Sequence, residues 1–271
     1  MVPAQCDDLG RYRLVAYPDA GEAVVTRAGG GGRRSTPSVL DKRAQLDVSA
    51  TGELQEKGRL PQSLRRSRAA IRRYATANRC NVLVSWTYSD RYLERATSRD
   101  QVLQDGRNLV RFMRSRWGGP FPYVFMPEIQ PQRSEREGLE VYNGMLLVPR
   151  MPRAVFDAIR EGYRYGEGDG YNGIDVTEWS DPRGGARYAS KALSRYASKS
   201  LGMAPPGRQA YRVGQGFQPR REEWVASGAP GTATDLLEVW MERKGHRLEL
   251  LQSVIDDEGR PVDAAWGMWA L

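Results

Sequence analysis

The chain has 271 residues, enough to bury a sizeable core, and its 41 Lys and Arg residues outnumber its 33 Asp and Glu residues to give a formal charge of +8. Cys6 and Cys80 are the only cysteines and His246 is the only histidine, which excludes a disulfide framework, a four-thiolate zinc site and a multi-histidine metal centre. Arginine supplies most of the positive charge, and this favours a partner that carries phosphate groups. His246 is predicted to be an exposed turn residue.

The N-terminal part of the chain predicts a β-hairpin. Residues 12–17 and 22–26 are rich in β-branched and aromatic residues and flank a Pro-Asp-Ala-Gly turn. Glycines and arginines at 29–34 then predict a flexible, basic linker. No segment approaches the ~18 apolar residues of a membrane span, so we expect a cytoplasmic protein with no membrane partner.

The next segment predicts a helix with a basic flank. Residues 63–76 alternate arginines with apolar residues at helical spacing, and Asn78 is a plausible end of the helix. The arginines predict a surface that follows DNA phosphates, with a solvated helical face as an equal alternative. They are Arg65, Arg66, Arg68, Arg72 and Arg73.

The middle of the chain alternates between strand and helix patterns. In chain order, strands are predicted at 81–88, 123–126, 140–148 and 174–179, and helices at 100–116 and 153–164. A polar loop at 130–138 joins two of the strands and favours antiparallel pairing, and a Gly-rich turn lies at 166–173. This order predicts an α+β fold with an antiparallel sheet and helices packed on one face.

The composition changes after Pro219, where four of the seven tryptophans lie. Residues 248–255 and 262–271 predict a terminal hairpin in which the tryptophans serve packing. We therefore divide the chain into three parts. They are an N-terminal hairpin and linker at 1–45, a central domain at 46–220 and a tryptophan-rich extension at 221–271.

The segment 186–199 contains the pentapeptide Arg-Tyr-Ala-Ser-Lys twice, with the two copies eight residues apart. On a helix this spacing places Tyr188 beside Lys191 and Tyr196 beside Lys199. A neighbouring cation favours the phenolate and can also hold a phosphate that the phenolate attacks. The alternative interpretation is a packed tyrosine ring next to a lysine that extends to solvent.

Four segments in this order resemble motifs of the rolling-circle replication initiators of actinobacterial plasmids, integrative elements and phages. These initiators belong to the superfamily named for a His-hydrophobic-His (HUH) metal motif. Residues 82–88 resemble the first strand motif, and residues 122–128 resemble the strand before the metal motif. Residues 187–199 resemble the tyrosine-lysine helix, and residues 211–219 resemble a motif found at the end of the domain in many members.

The resemblance implies an HUH-like replication initiator domain that binds single-stranded or hairpin origin DNA and nicks one strand. In that chemistry a tyrosine attacks the scissile phosphate, leaving a 5′-phosphotyrosine and a free 3′-hydroxyl that primes synthesis. It implies Tyr196 as the first choice of nucleophile and Tyr188 as the second, with Lys199 and Lys191 near the phosphate. Arg195 is a further expected DNA contact, and a host helicase is a further candidate partner.

Both histidines of the metal motif are replaced in this sequence. Alignment on the apolar tail of the motif leaves Asn143 and Glu128 as oxygen ligands, whereas alignment on Gly138 and Leu139 leaves Glu140 and Glu128. Strand alternation allows only one of these pairs to face the site. Either pair suits Mg²⁺ or Mn²⁺, which accept carboxylate and amide oxygens together with water.

Two other functions stay open. One is a DNA-binding protein on the same scaffold, with a decayed metal site, that recognises an origin or operator without cutting it. The other is an RNA-binding protein whose sheet exposes Trp86, Tyr88 and Tyr123 for base stacking. Covalent attachment to DNA separates the nicking enzyme from the non-cutting protein.

Overall fold

Two five-stranded antiparallel sheets organise the protein, which is thus α+β as predicted. The computed structural model describes residues 10–28, 62–163, 165, 173–181, 183–188, 211–229, 232–255 and 261–269. The chain divides into a terminal unit, Met1–Arg65 with Pro219–Leu271, and a central unit, Arg66–Gln218. Among the described helices, none is long and apolar enough to cross a bilayer.

The elements are numbered in chain order. The strands are β1 (Gly10–Tyr17), β2 (Glu22–Ala28), β3 (Cys80–Trp86), β4 (Val124–Ile129), β5 (Tyr142–Pro149), β6 (Ile174–Glu178), β7 (Arg212–Val213), β8 (Glu222–Ala229), β9 (Leu248–Ile255) and β10 (Pro261–Trp269). The helices are α1 (Gln62–Ala77), α2 (Leu93–Thr97), α3 (Arg99–Trp117), α4 (Pro131–Glu137), α5 (Arg153–Gly162) and α6 (Ala233–Arg243). Residues 183–188 are also helical.

The predicted strands and helices are confirmed wherever they fall on described residues, including the antiparallel pairing of β4 with β5. The stretch at 130–138, predicted as a loop, instead contains α4. Pro131 begins this helix and Gly138, with φ of 66°, ends it. The linker at 29–34, most of the Gly-rich turn at 166–173 and the second half of the 186–199 segment lie outside the described residues.

The terminal unit joins the two ends of the chain in one sheet with strand order β8-β1-β2-β10-β9. The N-terminal hairpin therefore lies between strands from the C-terminal segment, although the sequence predicts the two as separate parts. Helix α6 covers one face, where Leu237 and Met241 join a core with Leu14 and Val25. A capping box at Thr232 begins this helix.

Aromatic rings close one end of this core. The His246 ring stacks on Trp269 with centroids 4.5 Å apart, and Trp240 lies 5.8 Å from both rings. His246 follows the turn after α6, as predicted, but it is half-buried because of this stacking. Burial lowers the pKa of His246, and the charge of Lys244 lowers it further.

The central sheet has the strand order β6-β3-β5-β4-β7 and packs one face against α3. On this α3 face, Trp86 stacks on Phe125 with ring centroids 5.5 Å apart. A Cβ atom at Gly106 of α3 would lie 2.3 Å from the Phe125 ring, and one at Gly144 would lie 1.9 Å from the Trp86 ring. Only glycine allows this approach of helix and rings to the sheet.

The helical segment 183–188 lies on the second face of the central sheet. Leu147 is directly opposite Val124 and points away from the α3 face, since side chains alternate along a strand. The Cβ position of Gly185 is 3.2 Å from Leu147 Cδ1 and 3.0 Å from the Cys80 carbonyl oxygen. The prediction of helices on one face only is thus wrong for this segment, because its small residues let it approach the sheet.

A buried polar network ties α3 to the end of β3. Asp105, whose side chain is 5% exposed, accepts two hydrogen bonds of 2.8 Å from Arg95. It also accepts one of 2.9 Å from the Tyr88 hydroxyl. Burial raises the pKa of Tyr88 far above its usual range, so the hydroxyl stays protonated and can donate.

We predict that Asp105→Ala lowers the free energy of unfolding by about 3 kcal/mol, because it leaves the Arg95 charge and the Tyr88 hydroxyl without their partner. Asp157→Ala is the matched control, since this exposed carboxylate pairs with Arg153 and Arg160 and its loss is expected to cost no more than ~0.5 kcal/mol. Urea unfolding followed by far-UV circular dichroism measures both. Equal losses in the two variants would contradict the role given to this network.

We also predict that the terminal unit loses stability as pH falls from 7 towards 5.5. The folded pKa of His246 is lower than the unfolded value of about 6.5, so the unfolded chain binds the proton more readily. The stabilisation is complete above the unfolded pKa and is lost as pH falls through the folded pKa. Thermal unfolding followed by tryptophan fluorescence should show a shallower pH dependence in His246→Phe, and identical profiles would exclude the histidine as its source.

Candidate functional site

Two polar side chains face each other across β4 and β5. Glu128 is directly opposite Asn143 in the antiparallel ladder, and we call these two residues the cross-strand pair. Because Phe125 points to the α3 face, alternation directs Glu128 and Asn143 to the second face of the sheet. Directly opposite residues have Cβ atoms ~5 Å apart, so the two side chains can share one ligand.

The Asn143 side chain has a buried oxygen atom without a hydrogen-bond donor among the described residues. Its Oδ1 atom is buried and accepts no hydrogen bond within the structure as described. A buried acceptor without a partner costs about 1–3 kcal/mol of stability, and a cation or a hydrogen-bond donor would remove that cost. Both residues of the pair are half-buried, and Glu128 also interacts with another group of the protein.

Glu140 does not join the cross-strand pair. It precedes β5, and its carboxylate accepts a hydrogen bond from the Tyr142 hydroxyl. Tyr142 is opposite Ile129 and therefore belongs to the α3 face. Of the two alignments that the sequence leaves open, the structure brings together the residues of the first, Glu128 and Asn143.

The donor set of the pair fits a hard divalent cation. One carboxylate and one amide oxygen suit Mg²⁺ or Mn²⁺, which keep several waters and often complete their shell with phosphate oxygens. In the described part of the chain, no three His, Cys, Asp or Glu residues come close enough to form a metal site. Any cation here would therefore be held mainly by water and substrate, with low affinity in their absence.

Tyr188 ends the described part of the tyrosine-lysine segment. Its side chain is 43% exposed, and its ring packs on Trp179 with centroids 5.5 Å apart. In contrast, burial raises the pKa of Tyr74, Tyr88 and Tyr163 far above the usual range, which makes these three hydroxyls unsuitable nucleophiles. The other predicted residues of this segment lie outside the described residues: Lys191, Arg195, Tyr196 and Lys199.

Helix α1 carries the predicted basic flank. Arg66 is exposed, whereas Arg68, Arg72 and Arg73 are half-buried, and all four interact with other groups of the protein. The side chain of Arg65 lies outside the described residues. Each of these four arginines therefore already has a partner within the protein.

The aromatic residues proposed for RNA stacking do not form an exposed platform. Trp86 is 1% exposed and Tyr88 is 2% exposed, because α3 covers them. The RNA-binding interpretation is wrong on this point, since bases need open ring faces. Only Tyr123 of the three is half-buried rather than buried.

Sequence reasoning missed an arginine-lined cleft beside α3. Arg114 of α3, Tyr123 and Arg212 of β7 contribute to its lining, and its volume is about 770 Å³. Each of these residues lies in or beside a predicted element or a recognised motif. Their proximity depends on the pairing of β7 with β4, which no local pattern indicates.

No protein-family model matches the chain, and comparison with curated proteins and with solved structures gives no match either. The assignment of the candidate site therefore depends on its residues and geometry. These are the cross-strand pair, the exposed Tyr188 and the arginine-lined cleft.

We predict that Asn143→Asp converts the cross-strand pair into a stronger cation site. Without metal, two opposed carboxylates repel each other, and the free energy of unfolding should fall by about 0.5 kcal/mol. With Mn²⁺, the melting temperature should rise more than that of wild type, because a ligand that binds only the folded state stabilises it. Thermal unfolding in EDTA and in increasing Mn²⁺ provides the measurement.

Glu128→Gln in the Asn143→Asp background is the matched control, and it should abolish the extra response to Mn²⁺. An equal Mn²⁺ response in wild type, the Asp variant and the control would show that the cation binds elsewhere.

Proposed function

We propose that the protein is a replication initiator that binds origin DNA and nicks one strand by tyrosine transesterification. The observation that carries this proposal is the cross-strand pair, which shares the second face of the central sheet with the start of the tyrosine-lysine segment. The resemblance of four segments to rolling-circle initiators supports the same activity. An HUH-like arrangement of the central unit is part of the proposal.

The chemistry conserves one phosphodiester bond. The tyrosine hydroxyl loses its proton to a base or to solvent, and its oxygen attacks the scissile phosphorus. The bond from phosphorus to the 3′ oxygen breaks, that oxygen takes up a proton, and the 5′ phosphate stays on the tyrosine. A divalent cation held by Glu128 and Asn143 would stabilise the negative charge that develops on the phosphoryl oxygens.

The distances along the chain are compatible with this assignment. Leu147, which contacts the segment 183–188, is four residues from Asn143 on β5, or about 13 Å along the strand. Tyr196 follows Tyr188 by eight residues, and the helix that the sequence predicts there would rise ~12 Å. The rise of a helix of this length is therefore similar to the distance along β5 from Leu147 to Asn143.

A non-cutting origin- or operator-binding protein is the second candidate. The packing of the Tyr188 ring on Trp179 favours it, because a packed ring is the structural alternative to a nucleophile. Loss of the motif histidines also fits a scaffold that retains DNA binding alone. The two candidates differ in one observable, which is a covalent bond between protein and DNA.

The test is incubation of the full chain with a library of single strands from the DNA that flanks its own gene, with Mg²⁺ or Mn²⁺. Denaturing gels then detect a protein-DNA adduct. We expect a metal-dependent adduct in wild type and Tyr188→Phe and its complete loss in Tyr196→Phe. Glu128→Gln should lower the adduct yield at least tenfold, whereas Glu140→Gln should leave it unchanged.

Retention of DNA without an adduct, across the library and with either metal, would favour the non-cutting protein. Loss of the adduct in Tyr188→Phe instead of Tyr196→Phe would keep the activity and reassign its nucleophile.

A further inference from the structure

The arginine-lined cleft lies on the opposite side of the central sheet from the cross-strand pair. Arg212 of β7 is directly opposite Phe125, whose side chain points to the α3 face. The cleft therefore runs between α3 and the edge of the sheet. Helix α3 contributes Arg99 and Arg114 to the lining, and the sheet edge contributes Tyr123 and Arg212.

The cleft carries an excess of positive charge. Three arginines and one carboxylate, Asp100, line it, which leaves a net charge of +2, and Arg99 and Asp100 each interact with a further group of the protein. Among the described residues, neither Arg114 nor Arg212 has an ion-pair partner, so their guanidinium groups are available to an anion. A guanidinium group donates two parallel hydrogen bonds to a phosphate, which makes phosphate the best-matched ligand group.

The spacing of the arginines indicates a long ligand rather than one small anion. Arg99 and Arg114 are 15 residues apart on α3, slightly more than four turns, so they lie on a similar side of the helix about 22 Å apart. One phosphate could contact only one of them. A nucleic-acid strand, with a charge every ~3.4 Å when stacked, would span this distance with roughly six to seven nucleotides.

Tyr123 adds a surface on which a base can stack. Its ring meets Phe121 edge-on with centroids 6.0 Å apart, and this contact holds it in place. The Arg114 guanidinium lies 5.9 Å from the centre of the same ring. An aromatic ring beside a cation is the arrangement that single-strand-binding proteins use, because every base has a face that can stack.

The segment that carries the lining residues Arg212, Val213 and Gln215 is anchored to α1. The Tyr74 hydroxyl donates a hydrogen bond of 2.9 Å to the Gly214 carbonyl oxygen, and the Asn78 side chain donates one of 2.8 Å to the Phe217 carbonyl oxygen. The Gly214 amide donates to the Tyr123 carbonyl oxygen at 3.0 Å. The cleft is thus built before a ligand arrives, which lowers the entropic cost of binding.

We propose that this cleft binds a single strand of DNA through its phosphates and one stacked base. The proposal deepens the proposed function, since it assigns the DNA strand next to the nick to a second site away from the cross-strand pair. Cutting and strand retention then belong to different faces of the central sheet.

The test measures fluorescence anisotropy of 5′-fluorescein-labelled dT12 with the full chain in EDTA, which prevents metal-dependent cutting. Arg114→Gln/Arg212→Gln should weaken binding at least tenfold at 100 mM salt. The slope of log K against log salt concentration should become shallower by about 1.4, which is ~0.7 for each lost phosphate contact on a single strand. Arg150→Gln/Arg153→Gln removes the same charge at exposed positions outside the cleft lining and should change affinity less than twofold.

Two substitutions of Tyr123 test the stacking. Tyr123→Leu should weaken binding of dT12 by about 5- to 160-fold, whereas Tyr123→Phe keeps the ring and should bind like wild type. Thermal unfolding of every variant checks that the fold is retained. If Tyr123→Leu fails to fold, the arginine double variant alone tests whether the cleft binds the strand.

An arginine double variant that binds dT12 with the affinity and salt slope of wild type would overturn the proposal. Tighter binding of r(U)12 or of a 12-base-pair duplex than of dT12 would overturn the assignment to single-stranded DNA. The two proposals can also be told apart. If dT12 binding depends on the cleft arginines but the nicking assay gives no covalent adduct, the single-strand site is supported and the proposed nicking activity is not.

Discussion

The packing of Trp86 on Gly144 is the constraint on which both proposed sites depend. A Cβ atom at residue 144 would lie 1.9 Å from the indole ring, so only glycine on β5 can lie beneath it. This contact determines which residues of β5 point to the α3 face. A slip of β5 by one residue would remove Gly144 from beneath Trp86, separate Glu128 from Asn143 and turn Asn143 towards α3, because side chains alternate along a strand.

Local patterns predict most of the elements, because helices such as α3 and strands such as β5 have strong periodicity and clear end signals. They do not predict which strands pair across the chain. The insertion of the N-terminal hairpin between β8 and β10 depends on contacts between the two ends of the sequence. Likewise, only the fold shows that Gly185 lets a helical segment approach the second face of the sheet.

The candidate site was predictable as a set of residue types but not as a geometry. The sequence leaves open whether Asn143 or Glu140 accompanies Glu128, since alignment on either end of the altered motif is reasonable. The ladder pairs Glu128 with Asn143, whereas the Glu140 carboxylate accepts a hydrogen bond from the Tyr142 hydroxyl. The sequence also could not predict the burial of Trp86 and Tyr88, because an aromatic strand has the same pattern whether a helix covers it or not.

Electrostatics gives a reason for two sites on one small sheet. The cross-strand pair contributes a carboxylate, which repels a phosphate unless a cation lies between them. The described arginines of α1 interact with other groups of the protein, as does Arg99 of the cleft, whereas Arg114 and Arg212 have no acidic partner among the described residues. Strand β7, only two residues long, forms the sheet edge next to that cleft. In the proposed arrangement, a DNA strand that passes around this short edge would be held by arginines on one face while a phosphate is presented to the pair on the other.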